Sequence, residues 1–122
     1  MSMLKTTVNP FFWTNATFRT PDENGEMQEV SIRVKLAYKD STDYQNLLYG
    51  EAAKKPDGTG DAWLAPQVLL GWVETQVGDQ DGKPLPFNVD NVQAMLKAHK
   101  PLASAIARAW ISGQVGAAAQ GN

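Results

Sequence analysis

A strict alternation of apolar and polar residues constrains the fold more than any other feature of the sequence. Between positions 30 and 39, the even positions carry apolar side chains, from Val30 to Tyr38, and the odd positions carry mostly polar ones. A period of two predicts a β-strand with one buried face. Residues 12–19 alternate less cleanly, and a turn at Asn24-Gly25 would close the two runs into an antiparallel hairpin. Since an isolated hairpin is only marginally stable, its apolar face must cover other elements.

A short amphipathic helix is predicted after the hairpin. Asp40 and Ser41 form an N-cap signal, and Tyr44, Leu47 and Leu48 follow at helical spacing. Lys54 and Lys55 would lie in the last turn, where positive charge suits the helix dipole. The sequence Pro-Asp-Gly-Thr-Gly at 56–60 then ends the helix, giving it about three turns.

The segment 61–77 is compatible with two structures. Its apolar residues fit one helix kinked at Pro66, or a buried strand after that proline. Periodicity does not distinguish the two in so apolar a run. The next segment, 78–82, reads as a polar turn.

Two further helices are predicted before the C-terminus. Asn88 is a candidate N-cap, with Phe87 and Val92 spaced for a hydrophobic staple. Pro101 breaks the chain before a last helix that is apolar almost all round, at Leu102, Ala103, Ala105, Ile106, Ala107, Ala109, Trp110 and Ile111. This breadth exceeds one packed face and predicts contact with another chain.

The predicted fold is α+β, with an N-terminal antiparallel β-hairpin packed on three or four short α-helices. The 122 residues suit one domain, predicted as 1–112, followed by a flexible Gly/Ala/Gln-rich tail at 113–122. Four tryptophans are expected mainly in the core, at positions 13, 63, 72 and 110, although Trp110 suits an interface equally well.

Composition narrows the classes of function. A net charge of −2 does not favour nucleic acid as a main partner. The chain has no cysteine, which excludes disulfides and thiolate chemistry. It also has no leader-like apolar region and no run of 18 apolar residues, so we expect a soluble cytoplasmic protein that does not bind membranes.

Residues for catalysis are sparse. His99, the one histidine, lies on an apolar helical face near a helix end, which favours a partly buried or capping role. Asp79, Asp81 and Gly82 match only a fragment of a calcium loop, and 58–60 lacks the rest of a phosphate loop. We therefore predict that the chain is not an enzyme and that it uses no cofactor and no metal.

A succession of short patterns resembles the tail assembly chaperones of long-tailed, siphovirus-like bacteriophages. The patterns are an apolar run ending in Gly71-Trp72-Val73, an acidic turn at 79–82, Pro84-Leu85-Pro86-Phe87, and the two helices between Asn88 and Trp110. The hairpin and the acidic-capped helix also lie where such proteins have them. The resemblance spans about 12–110 and consists of order and spacing.

The resemblance implies a non-enzymatic protein of the infected bacterium's cytoplasm that is absent from the mature virion. Such a protein binds the tape-measure protein and keeps it soluble while tail tube subunits polymerise around it. It often forms a homo-oligomer, and the tail tube protein would be a further partner.

Predicted partner-binding residues lie mainly on the last helix. They are Leu102, Ile106, Trp110 and Ile111, with Trp72 and Phe87 shaping the neighbouring surface. A helix-in-groove contact would cover the apolar helices of a tape-measure client. Two other classes stay open: a structural tail or head-tail connector subunit assembled through the hairpin, and a small bacterial ligand-binding or enzymatic domain built around His99.

Overall fold

A long β-hairpin is the first element of the structure, which a computed structural model describes for residues 9–116. Strand β1 (Phe11–Pro21) pairs antiparallel with β2 (Met27–Ala37) through eleven successive residue pairs. The even-numbered residues of both strands face the core and the odd-numbered ones face outwards, as the alternation predicts, except for the buried Ala37 at the end of β2. The predicted hairpin is confirmed.

The hairpin turn is built on one aspartate and one glycine. The Asp22 carboxylate accepts hydrogen bonds from the backbone N–H groups of Asn24 and Glu26, at 2.8 and 3.0 Å. Gly25 has φ of +80°, a conformation that side chains disfavour. Asn24 keeps a negative φ, so of the two predicted turn residues Gly25 alone needs the left-handed region.

The first helical segment begins where the N-cap signal predicts. Helix α1 (Ser41–Gln45) is capped by the Asp40 carboxylate, which accepts from the Asp43 N–H at 2.9 Å. The helical backbone continues with wider turns over Asn46–Glu51 and ends in a tight turn at Ala52–Lys54.

The ambiguous segment contains both a helix and a strand. Helix α2 (Gly60–Val68) passes through Pro66, and strand β3 (Leu69–Trp72) follows at once. β3 pairs antiparallel with β2, which gives a three-stranded sheet in the order β1-β2-β3. A short helical turn at Glu74–Gln76 follows the strand.

Two helices complete the chain, as predicted. Helix α3 (Val89–Ala98) starts at Asn88, whose side-chain oxygen accepts from the Asn91 N–H at 2.8 Å. His99 separates it from helix α4 (Lys100–Gln114). Among residues 9–116, none of these helices has both the length and the apolar character needed to cross a bilayer.

The core lies between the inner face of the sheet and the helices. α4 runs beneath β1 and also packs against α2 and α3. The buried side chains come from all of these elements, and the largest that are fully enclosed are Trp110, Leu36, Leu64, Ile106, Val34 and Val68. The predicted α+β class is confirmed, with four helices on one face of a three-stranded sheet.

The last helix extends past the predicted end of the domain. α4 continues through Gly113 to Gln114, whose side-chain amide accepts from the Lys39 N–H and donates to the Lys39 carbonyl, at 2.7 and 2.9 Å. Gly113 fits closely against the Phe12 ring. The boundary at 112 is therefore too early, and the end of the predicted tail, 117–122, lies outside the described residues.

Candidate partner-binding surface

The residues predicted to bind a partner through α4 lie in the core. Leu102 is 2% exposed, and Ile106 and Trp110 are 0% exposed. Ile111 is half-buried and packs against the same core. The prediction that these side chains form a surplus apolar surface is wrong, because the sheet covers one side of the helix and α2 and α3 cover others.

Trp110 is held in place by polar as well as apolar contacts. Its indole N–H donates to the Ala37 carbonyl at 2.8 Å, and its rings lie 5.1 Å from the Tyr44 ring. Burial raises the pKa of the Tyr44 hydroxyl above its ordinary value of 10.0, and the nearby Tyr49 hydroxyl adds to the shift. These contacts explain an interior tryptophan without any partner chain.

Trp72 and Phe87 also have structural explanations. Their rings meet edge to face at 4.9 Å, and the Trp72 indole N–H donates to the Leu85 carbonyl at 2.9 Å. Trp72 is buried and Phe87 is half-buried. The pair joins the end of β3 to the loop before α3, so neither side chain forms a free binding surface.

His99 lies at a junction between helices, as its sequence position suggests. It is half-buried, and its ring lies 5.8 Å from the Phe18 ring. It borders an apolar cavity of about 210 Å³ with Phe18 and Leu102, and an open groove of about 720 Å³ that includes Asp79 and Asp81. His99, on which the ligand-binding alternative rests, therefore borders the same groove as the two aspartates of the acidic turn.

The acidic turn at 79–82 is stabilised by hydrogen bonds from its own backbone to the Asp79 carboxylate. One Asp79 carboxylate oxygen accepts from the N–H groups of Asp81 and Lys83, at 2.8 and 3.0 Å. Gly82 supplies the positive φ, so the turn repeats the geometry seen at Asp22 and Gly25. Among residues 9–116, no three metal-binding side chains of the His, Cys, Asp or Glu type lie together.

The outer face of the sheet carries two exposed aromatic residues, both on β1. Phe11 is 38% exposed and Trp13 is 40% exposed, both at odd positions of β1. Trp13 pairs across the sheet with Lys35, whose ammonium lies 4.0 Å from the centre of the Phe11 ring. We call Phe11, Trp13, Arg33 and Lys35 the outer patch.

The outer patch is positively charged on an acidic protein. Arg33 and Lys35 supply two cations in β2, and Arg19 extends the charge along β1. Glu29, which faces Arg19 across the strands, is the one carboxylate of β1 and β2. Aromatic rings bordered by cations can hold a partner that has apolar surface and acidic margins.

Sequence reasoning missed this surface because it assigned Trp13 to the core by residue type. The signal was present, since Trp13 falls at an odd position, opposite in phase to the core-facing Phe12, Ala16 and Phe18. Trp63 is also outside the fully buried core: it is half-buried, with the Lys55 ammonium 4.9 Å from its ring.

No family model, no curated protein and no solved structure matches the chain.

Proposed function

We propose that this protein is a tail assembly chaperone of a long-tailed bacteriophage, a non-enzymatic protein that binds the tape-measure protein in the host cytoplasm. The order of patterns between residues 12 and 110 supports the family. The exposed outer patch is the single structural observation that carries the binding role. Its aromatic rings lie on a sheet face that the helices within residues 9–116 leave uncovered.

The outer patch suits an apolar helix better than a small ligand. Phe11 and Trp13 lie two residues apart on one strand, and Arg33 and Lys35 follow on the next. Before the tail tube assembles, a tape-measure client would expose apolar helical faces. Such a helix could lay its apolar stripe on the two rings and direct acidic side chains to the two cations.

Co-expression with the tape-measure protein of the same phage tests the proposal. We expect the parent chain to keep the client soluble and to co-purify with it. The double variant Phe11→Ala/Trp13→Ala should lose the client while keeping its circular dichroism spectrum. Tyr49→Ala is the matched control, because Tyr49 is 63% exposed but lies on the first helical segment, away from the sheet.

Each result has a defined meaning. If the double variant still carries the client, the binding surface is elsewhere. If the folded parent fails to solubilise the client, the chaperone proposal is wrong.

A structural tail or head-tail connector subunit is the second candidate function. The observation that favours it is the long outer strand β1, which has one neighbour in the sheet and could pair with another subunit. Purified virions separate the two candidates, since a structural subunit remains in the particle and a chaperone does not.

A further inference from the structure

Within the described part of the chain, the outer edge of β1 presents a row of backbone groups that pair with no other strand. The N–H and C=O groups of the even-numbered residues point to β2, as the bonds Asp22 N–H to Glu26 and Tyr38 N–H to Pro10 show at the two ends of the hairpin. Those of the odd-numbered residues, from Phe11 to Arg19, therefore point away from the sheet. Within residues 9–116, no strand lies on that side.

At the opposite edge of the hairpin, formed by β2, several backbone groups have hydrogen-bond partners. On either side of the Lys35–Gly71 pair, backbone groups of Arg33, Ala37 and Lys39 find partners in side chains and loops. Arg33 bonds the Gln76 side chain and the Val73 N–H. The Ala37 carbonyl accepts from the Trp110 indole N–H. The Lys39 N–H donates to the Gln114 side-chain oxygen, and the Lys39 carbonyl accepts from the Gln114 side-chain nitrogen. The fold thus satisfies this edge from Arg33 to Lys39.

β1 lacks the features by which proteins usually protect an edge strand. It pairs with β2 over eleven residues without a bulge, its prolines lie at or beyond its ends, and Arg19 is its one charged residue. The contact recorded on its outer edge is a long one, from the Arg108 guanidinium to the Thr17 carbonyl at 3.5 Å. A long, regular, nearly uncharged edge is a template for another strand.

We propose that the occupant of this edge is the β1 strand of a second copy of the chain, paired antiparallel about a two-fold axis. The two sheets would then form one six-stranded sheet in the order β3-β2-β1-β1-β2-β3. A two-fold axis at Asn15 pairs nine residues of each strand, 11–19. It also places Arg19 opposite the partner's Phe11 on the outer face, which adds a cation–aromatic contact at each end.

The helical layer has room for this arrangement. Ala105, Ala109 and Ser112 of α4, together with Arg108, border an open groove of about 370 Å³ beneath the edge at Thr14, Asn15 and Thr17. These small side chains allow the partner's α4 to approach. In the register centred on Asn15, the two Thr17 residues lie four positions apart, about 13 Å. The two Arg108 charges beside them are therefore separated by more than a screening length of about 8 Å.

Light scattering on the purified chain, without client, tests the pairing. We expect the parent to have twice the monomer mass of 13.3 kDa. Asn15→Pro should be monomeric, because proline removes an outward N–H that the β1–β2 ladder does not use. Ser31→Lys is the control: Ser31 is exposed on the same sheet face but lies in β2, so its dimer should persist.

A spin-label experiment keeps the proposal testable if Asn15→Pro fails to fold. Because the chain has no cysteine, Asn15→Cys and Glu23→Cys each give one labelled site. The Asn15→Cys labels should lie side by side and broaden each other's spectrum. The Glu23→Cys labels would be at opposite hairpin tips, about 50 Å apart, and should stay sharp.

A monomeric parent, a ring or larger polymer, or an unbroadened spectrum for Asn15→Cys would overturn the proposal. If the parent is monomeric and the Asn15→Cys spectrum changes only when client is added, the edge binds a client strand instead of a second copy. The proposal does not rest on the client, so its failure leaves the tape-measure proposal standing.

Discussion

Gly113 illustrates how one residue can mislead sequence interpretation. A glycine after an apolar helix usually marks the helix end, because glycine favours the left-handed cap. Here the helix continues, and the missing side chain makes room for Phe12 of β1. The residue is a contact between helix and strand, and its role depends on an element about a hundred positions away.

Gly113→Ala is predicted to destabilise the fold despite alanine's better helix propensity. The propensity gain is about 1 kcal/mol, whereas a methyl group at this position would overlap the Phe12 ring and cost about 1–3 kcal/mol. Urea unfolding checks the net sign. Gly50→Ala is the matched control, because Gly50 is also helical and no atom lies within 4 Å of the added methyl group. A stabilised Gly113→Ala chain would contradict the predicted contact.

Ionisation of Tyr44 is predicted to lower the free energy of unfolding at alkaline pH. Burial raises the pKa of its hydroxyl in the folded state above the unfolded value of about 10. The folded chain therefore holds this proton more tightly, and the stabilisation present below pH 10 is lost as the pH rises through the folded-state pKa. Melting temperatures between about pH 9 and 11 should fall less for Tyr44→Phe than for the parent. Tyr38→Phe, another half-buried tyrosine, is the control, and equal losses in all three chains would contradict the assignment.

At the scale of elements, side chains extend the sheet where strand β3 stops. Gln114 is the clearest case, because its amide pairs with both backbone groups of Lys39 as another strand residue would. Gln76 and Trp110 act similarly on Arg33 and Ala37. These three side chains, two from α4 and one from the helical turn at Glu74–Gln76, join those elements to β2 and to the residues just after it.

Gln114→Ala is predicted to destabilise the fold by about 1–3 kcal/mol, because two part-buried hydrogen bonds are lost together. Gln93→Ala on the exposed face of α3 should change stability by less than about 0.5 kcal/mol. Chemical denaturation of both variants measures the difference. Amide exchange at Lys39 should also quicken in Gln114→Ala, and unchanged exchange would show that the amide pair contributes nothing.

The elements that sequence predicted well are those with local causes. The hairpin follows from a period of two, and the caps at Asp40 and Asn88 follow from side chains that bond a backbone three residues away. The sequence does not distinguish helix from strand at β3, because a fully apolar run shows no periodicity. The residues of α4 that the sequence predicts on a partner-binding surface are buried, because β1, α2 and α3 surround the helix, and no local pattern encodes that packing.

At the scale of the whole molecule, the helices cover one face of the sheet and leave the other exposed. The covered face takes Ile106 and Trp110 into the core, and the exposed face carries the outer patch. The sequence predicts Ile106 and Trp110 at an interface, and the structure buries them in the core. The apolar residues of α4 pack in the protein's own core, whereas Phe11 and Trp13 of β1 are exposed.

Ile106→Asp distinguishes these two assignments of α4. Had Ile106 been an interface residue, aspartate would separate the copies and leave each one folded. Since Ile106 is 0% exposed in a single chain, we expect a buried, unpaired carboxylate to cost more than about 4 kcal/mol, a large share of a typical domain stability of about 5–15 kcal/mol. Circular dichroism should therefore show a lowered melting temperature or an unfolded chain. Arg108→Asp, an exposed position on the same helix, should stay folded. A folded, monomeric Ile106→Asp chain of parental melting temperature would return the interface to α4.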